Sequence, residues 1–288
     1  MRLALGKTHP VPRVFQVPGP LHLEHPFFRQ GEISTAGCPD YWIGSCQWTC
    51  ERYRKSGISQ DRVFLSYYGM DLNNRFNRHE KGKLRQELGI EANVKIIGMV
   101  AFMYTPKWFL GQTRGLKGHE DLIDALAICL KTEPNIVGAF MGGAWPYHAT
   151  GYEQRVRTYG LKRCGDRAIF LGTRNDIPEL YPDVDIAVHP SHSENIGGAG
   201  ESLFYAIPTI ATNVGGFPDV VRHGETGWLV PARAPAQLAE TILEALRDPV
   251  RSYRMAVRGQ SLVKQLFDVR ETARQVSEIY DHIIDQHD

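Results

Sequence analysis

Two carboxylates and a cluster of glycines between residues 189 and 201 carry the strongest chemical signal in the chain. They stand in His189-Pro-Ser-His-Ser-Glu-Asn-Ile-Gly-Gly-Ala-Gly-Glu. Gly197, Gly198 and Gly200 have no side chain to keep a ligand away from backbone N–H groups, and a helix expected to begin near Gly200 adds its positive end. A diphosphate fits such a loop. Glycines at a strand-to-helix turn also serve simply to make the turn tight, so the loop alone does not identify a ligand. Glu194 and Glu201 bracket it, and sugar hydroxyls are donors that carboxylates bind well. A ribose on Glu201 and a hexose on Glu194 leave a diphosphate between them, over the glycine amides. Taken singly, Glu201 is also a favourable acid in a helix's first turn, and Glu194 a solvated loop charge.

The elements that must position these groups follow from hydrophobic periodicity. Short runs rich in Val, Ile and Phe alternate with amphipathic stretches of helical length, the pattern of strand-helix-strand units and a parallel sheet. Strands are predicted at Val94–Val100, Asn135–Met141, Ala168–Leu171, Ile186–His189, Thr209–Thr212 and Trp228–Val230. Helices are predicted at Lys117–Lys131 and Pro235–Arg247, each with one apolar stripe. Residues 91–265 therefore read as one complete doubly wound α/β domain. Residues 1–90 repeat the grammar more weakly, with strands at Arg13–Val17, Tyr41–Gly44 and Val63–Tyr67 around a helix at Gln47–Lys55. That amounts to a partial Rossmann-like domain. A polar helix at Arg75–Leu88, ended by Gly89, is expected to join the two parts, and residues 266–288 are expected to form a helix packing back towards the first part.

Composition narrows the function classes. Of 288 residues, 42% are hydrophobic and 23% charged, and the net charge is +1, which gives no global basis for nucleic-acid binding. Residues 1–90 hold 13 Lys+Arg against 8 Asp+Glu, leaving 20 against 24 downstream. This mild asymmetry fits a solvated basic face, or contact of the first part with an anionic membrane surface. No apolar run reaches the roughly 18 residues needed to span a bilayer, and the first residues are too short and polar for a secretory signal, so a cytoplasmic protein is expected. Cys38, Cys46, Cys50, Cys129 and Cys164 lack the paired C-x-x-C spacing of a zinc site and read as reduced thiols. His189 and His192 have a ligand-like spacing without a neighbouring Asp, His or Cys cluster, so no metal is expected.

The continuation makes the signal specific. Glu201-Ser-Leu-Phe-Tyr-Ala-Ile-Pro-Thr-Ile-Ala-Thr-Asn-Val-Gly-Gly-Phe-Pro-Asp-Val-Val221 closely resembles the stretch E-A-x-A-x-G-x-P-V-V-A-T-x-V-G-G-x-x-E-x-V of the retaining GT-B glycosyltransferases of the group 1 family. His223-Gly-Glu-Thr-Gly-Trp-Leu-Val-Pro resembles that family's x-G-x-T-G-x-L-V-x, and Arg114-Gly-Leu-Lys-Gly-His-Glu-Asp-Leu-Ile-Asp-Ala its x-x-K-G-x-x-x-L-I-x-A. The resemblance covers roughly residues 40–280. It implies two Rossmann-like domains facing a cleft, a nucleotide diphosphate sugar as donor substrate, no further cofactor, and transfer to an acceptor hydroxyl with retention of configuration.

On that resemblance Lys117 is the cation on the donor phosphates, which suits a reaction whose leaving group is a nucleotide diphosphate. Glu194 orients the sugar, Glu201 holds the ribose, and the amides of Gly197, Gly198 and Ala199 hold donor oxygens; Ser193 and Thr173 complete the expected donor contacts. Three departures stand out. Glu194 and Glu201 are separated by six residues where the family has seven. The family's G-R after the first donor-domain strand is Gly98-Met99, followed by a longer loop from Phe102 to Gly115, so Arg114, or failing it Lys107, is expected to fill the vacant charge position. The family's early acceptor loop and histidine have no assignable counterpart; His22 is the one early histidine that suits the cleft at all, and a merely structural role suits it better. Gly69-Met-Asp-Leu resembles the family's N-G-V-D, so residues 41–76 read as the closing portion of a first domain whose beginning is missing. The acceptor, whether saccharide, lipid-linked or small molecule, is left open. The alternatives are a non-catalytic nucleotide-sugar-binding subunit working with a partner chain, a truncated inactive transferase, or a sugar-nucleotide epimerase.

Overall fold

Runs of β-branched and aromatic residues build parallel sheets in the computed structural model, which describes residues 2–70, 80–147 and 149–287. The first sheet holds β1 (Arg13–Val17), β2 (Asp40–Gly44) and β3 (Val63–Leu65) in that order. Downstream come β4 (Lys95–Val100), β5 (Met103–Tyr104), β6 (Ile136–Met141), β7 (Ala144–Trp145), β8 (Ala168–Gly172), β9 (Ile186–His189), β10 (Thr209–Thr212) and β11 (Trp228–Val230). Of these, β5 and β7 pair with each other, and the rest form a six-stranded parallel sheet ordered β11-β10-β9-β4-β6-β8.

That order places the site. The chain moves outward from β4 through β6 to β8, then returns to the other side of β4 and continues outward through β9, β10 and β11. Direction reverses between β4 and β9, so the connections leaving their carboxyl ends diverge to opposite faces and open a crevice there. The middle of the sheet is apolar on both faces because helices cover both: every residue of β6 is buried. On one face the helix His119–Cys129 buries Leu122, Ile123 and Leu126, and the helix Pro235–Arg247 buries Leu238 and Ile242. Leu84, Leu180 and Tyr181 pack in a second cluster with Ile96 and Ala187.

Several boundaries differ from the sequence expectation. The helix expected from Lys117 begins at His119, because Gly118 takes a left-handed conformation (φ 73°) that leaves Lys117 in a turn. The helix expected near Gly200 begins earlier and spans Gly197–Phe204, so the glycines form its first turn instead of a loop before it. The joining helix covers Lys83–Leu88 and ends on Gly89 in the left-handed region (φ 63°). Residues 75–79 of that expected helix, and Asp71 and Leu72 of the Gly69-Met-Asp-Leu motif, lie outside the described residues.

The two sheets are tied together by specific bonds. Asp219 accepts from the Gln47 backbone N–H at 2.8 Å and from the Tyr67 hydroxyl at 3.1 Å, so a carboxylate of the second part caps the helix Gln47–Lys55. Along the last helix, Val269–Asp285, the Thr272 hydroxyl donates to the Tyr67 carbonyl at 3.2 Å, and just beyond it the Tyr41 hydroxyl donates to Gln286 Oε1 at 3.2 Å. His22 faces the Tyr53 hydroxyl at 3.3 Å, within the first part.

Candidate functional site

Two cavities compete for attention. The larger, about 910 Å³, lies at the amino ends of β4, β9 and β10, beside Lys95, Ile186 and Pro208. The smaller, about 140 Å³, lies at the carboxyl ends of β4 and β9 and is lined by Val100, Phe102, Tyr104, Lys117, His189, Ser191, Glu194 and Gly198, among others. Ligands of open α/β sheets bind outside the carboxyl ends, where the strand order reverses. The smaller cavity occupies that place and collects an ammonium, a carboxylate, an imidazole and a helix N-terminus.

The Lys117 turn and the Glu194 loop are each held by a backbone contact that only glycine permits. A Cβ on Gly118 would stand 2.0 Å from the Pro190 carbonyl oxygen, and one on Gly215 (φ 50°) would stand 1.7 Å from the Glu194 carbonyl oxygen. The His192 N–H also donates to the Leu116 carbonyl at 2.7 Å, and the Gly216 N–H to the Glu194 carbonyl at 3.3 Å. The loop from Pro190 to Ile196 is thus clamped between the Lys117 turn and the Val214–Gly216 turn. This is the physical content of the Lys-Gly and Val-Gly-Gly motifs.

Within the cavity Lys117 and Glu194 form an ion pair, their side chains 18% and 13% exposed. Ser191 Oγ donates to Glu194 Oε2 at 3.3 Å, the Asn195 N–H donates to Glu194 Oε1 at 3.1 Å, and the Lys117 ammonium lies 5.7 Å from the Tyr104 ring centroid. The helix Gly197–Phe204 starts immediately beyond, with first-turn N–H groups that have no partner within the helix. His189 is buried, and that burial, with the charge of Lys117 adding to it, pushes its imidazole down to about 3. The ring is neutral near neutral pH.

The other expected residues are placed differently. Ala199 is fully buried in an apolar cluster with Leu203 and Phe217. Ser193 hydrogen-bonds Glu24 of the first part; burial raises the Glu24 pKa and the Ser193 bond partly offsets it. Thr173 follows β8, two strands away from β4, and its hydroxyl lies 2.9 Å from where a Gly143 side chain would begin. Glu201 lies beside the buried Tyr181, whose hydroxyl is pushed well above its ordinary pKa by burial first and by the Glu201 charge second.

Arg114 does not line the cavity. Its guanidinium meets Asp121 Oδ1 at 2.6 Å and Asp124 Oδ2 at 2.8 Å, on the helix that Lys117 precedes. His192 Nε2 approaches the other Asp121 oxygen at 2.5 Å. Burial opposes ionisation of Asp121, but the hydrogen bonds and charges of His192 and Arg114 more than offset it, holding the carboxyl below its usual range. The network fixes the turn and the loop relative to each other. His192 and His189 therefore point to different partners, since His189 Nε2 bonds Ser202 Oγ at 3.0 Å. The structure predicts that Arg114→Gln costs about 1–2 kcal/mol of stability, the contribution of partly exposed charged hydrogen bonds, and lowers donor affinity less than about tenfold. Thermal unfolding and a donor titration check this; an affinity loss as large as that of Lys117→Ala would put Arg114 on the phosphates.

Tyr104, Ser191 and Phe102 belong to the cavity without having been singled out in the sequence, and His189 had been considered there only as a metal ligand. The signal available for His189 was its place as the last residue of a predicted strand leading into the glycine-rich segment.

Known proteins carry the same organisation. Residues 108–261, more than half of the chain, match the family described as glycosyl transferases group 1. D-inositol 3-phosphate glycosyltransferase of Corynebacterium efficiens is 31% identical over 204 residues, covering 68% of this chain and 45% of the relative. Lipopolysaccharide core biosynthesis mannosyltransferase LpsB of Rhizobium meliloti is 24% identical over 211 residues, covering 71% of this chain and 56% of the relative. The chain spans about half the length of these relatives. Anabaena Alr3699/HepE, solved in complex with UDP-glucose, superposes with a TM-score of 0.78 at 25% identity, over 94% of this chain and 72% of that one. No helix among the described residues is long and apolar enough to cross a membrane. With its GT-B-like α/β fold and the match over most of the second sheet, the chain belongs to the glycosyl transferases group 1 family.

Proposed function

We propose that this chain binds a nucleotide diphosphate sugar at the carboxyl ends of β4 and β9 and takes part in transferring the sugar to an acceptor hydroxyl with retention of anomeric configuration. The observation that carries the reading is the Lys117–Glu194 pair beside the start of the helix Gly197–Phe204, in the crevice where the strand order reverses. Residues 91–265 serve as the donor domain, residues 1–90 as part of the acceptor side, and residues 266–288 as the helix returning to it.

The Lys117 ammonium and the Glu194 carboxylate neutralise each other. A diphosphate replaces Glu194 as the counter-ion of Lys117 and frees the carboxylate for a sugar hydroxyl, so a single exchange of partners sets up both halves of the donor. Lys117 and the first-turn amides at Gly197, Gly198 and Ala199 stabilise the negative charge that grows on the leaving diphosphate. A leaving-group oxygen takes the acceptor proton on the same face, so the protein contributes position and charge. Glu201 and Thr173 flank the nucleoside end, Ser193 holds the loop to the first part through Glu24, and Arg114 acts through Asp121 as a positioning residue. Anabaena Alr3699/HepE in complex with UDP-glucose supports a donor of this class.

The test is to incubate the purified chain with UDP-, GDP- and ADP-sugars and an acceptor panel, following nucleoside diphosphate release and product anomers by NMR. Release with an α-donor giving an α-product is the expected result. Isomerised donor without release would make the chain an epimerase; binding without turnover would make it a donor-binding subunit.

A further inference from the structure

One nitrogen of the buried His189 ring has its partner inside the protein, and the other has none among the described residues. The Thr209 hydroxyl donates to the Ile207 carbonyl at 2.8 Å, so its single hydrogen is spent and it accepts from Ser202 Oγ, 2.9 Å away, or from nothing. Ser202 also has one hydrogen, and both Thr209 Oγ1 and the Ala199 carbonyl, at 3.2 Å, are waiting acceptors. With its hydrogen given to either of them, Ser202 Oγ accepts from His189 Nε2 at 3.0 Å. In that arrangement the hydrogen is on Nε2, and Nδ1 carries a lone pair.

The Nδ1 edge faces Gly198. A Cβ there would stand 2.9 Å from Nδ1, 2.8 Å from Cε1 and 3.3 Å from the Val100 carbonyl oxygen. Glycine alone lets the helix start pack this closely against the ring edge, and His189, Gly198 and Val100 all line the cavity that holds Lys117 and Glu194. His189 itself is only 5% exposed, and the cavity it lines is the side from which a ligand meets its ring.

A lone pair accepts a hydrogen bond and gives none. An ionised diphosphate has no hydrogen to offer, whereas a sugar hydroxyl does. We infer that His189 is a sugar-recognition residue of the donor site, its Nδ1 accepting from a hydroxyl of the transferred sugar seated over Gly198 while Lys117 takes the diphosphate. This rests on the nucleotide-sugar reading above and adds to it a group that reads the sugar separately from the nucleotide. Neutrality of the ring under burial keeps the lone pair available near neutral pH.

The experiment compares wild type, His189→Gln and Lys117→Ala by calorimetric titration with UDP-glucose against UDP and GDP-mannose against GDP. Gln can place its amide nitrogen where Nε2 was and keep the Ser202 bond, but it leaves nothing at Nδ1. H189Q is expected to bind the nucleotide sugar about tenfold more weakly, the worth of one hydrogen bond, with the matching nucleoside diphosphate unchanged. K117A weakens both. Equal loss for sugar and diphosphate in H189Q, or no loss in either, overturns the role of His189 while leaving the nucleotide site standing. Wild type binding none of the four ligands overturns the site itself. Should H189Q fold poorly, ¹⁵N NMR of the wild-type imidazole decides: the Nδ1 resonance moves with the nucleotide sugar and stays with the nucleoside diphosphate, and the same shift for both contradicts the inference.

Discussion

Lys117→Ala is expected to lower the rate of sugar transfer by about 10²–10³, the loss that follows removal of one fixed group facing developing negative charge. Among the described residues it is the one cation lining the cavity, and Met99 stands where the family places an arginine, buried at 2% exposure. Arg114 does not take over, because it is held by Asp121 and Asp124. The substitution also leaves Glu194, at 13% exposure, without its counter-ion, so the variant loses stability as well as activity. The double variant K117A/E194Q isolates the stability effect: its melting temperature recovers towards wild type, while transfer stays low because both donor-facing groups are gone. Steady-state kinetics with thermal melting make the check, and transfer by K117A within about threefold of wild type is too small a loss for a phosphate-facing cation.

Gly118→Ala is expected to strike the scaffold that joins Lys117 to the Glu194 loop. Gly118 has φ 73°, and a Cβ would stand 2.0 Å from the Pro190 carbonyl oxygen, a backbone atom that cannot swing away. Left-handed backbone alone costs an ordinary residue about 1–2 kcal/mol, and separating the two turns raises the total to about 3 kcal/mol or more. For a chain of this size that lowers the melting temperature by about 6–12 °C. Gly57 provides the control, since it too has positive φ (93°) but nothing within 4 Å of a Cβ. Gly57→Ala should show the conformational cost alone. Because Lys117 precedes Gly118 and Pro190 leads to Glu194, donor affinity falls with stability in G118A and is unchanged in G57A. Equal melting shifts in the two variants would mean that the Gly118–Pro190 contact does not hold the site.

Much of the donor side was legible in the sequence because its signals are local. The Ile186–His189, Thr209–Thr212 and Trp228–Val230 strands and the Pro235–Arg247 helix fall where apolar runs and periodicity put them. Lys117, marked by the family-like Lys-Gly motif, and Glu194, marked by the glycine-rich segment it precedes, stand 77 positions apart, and the structure brings them into one ion pair. What escaped depends on partners distant in sequence. Arg114 precedes a helix whose residues Asp121 and Asp124 turn back to it, and no count of charges reveals that they capture it before a phosphate can. The relay from His189 through Ser202 and Thr209 to Ile207 exists only once β9, β10 and the intervening helix are packed. The β5–β7 ribbon has two residues per strand, too short to leave any periodicity.

The most direct test of the central claim is a crystal structure of this chain with its bound nucleotide sugar. The diphosphate is expected at the carboxyl ends of β4 and β9, with an oxygen about 3 Å from Lys117 Nζ in place of Glu194, and the sugar over Gly198. A nucleotide seated instead in the 910 Å³ cavity at the amino ends of the same strands, with Lys117 and Glu194 still paired, would contradict it.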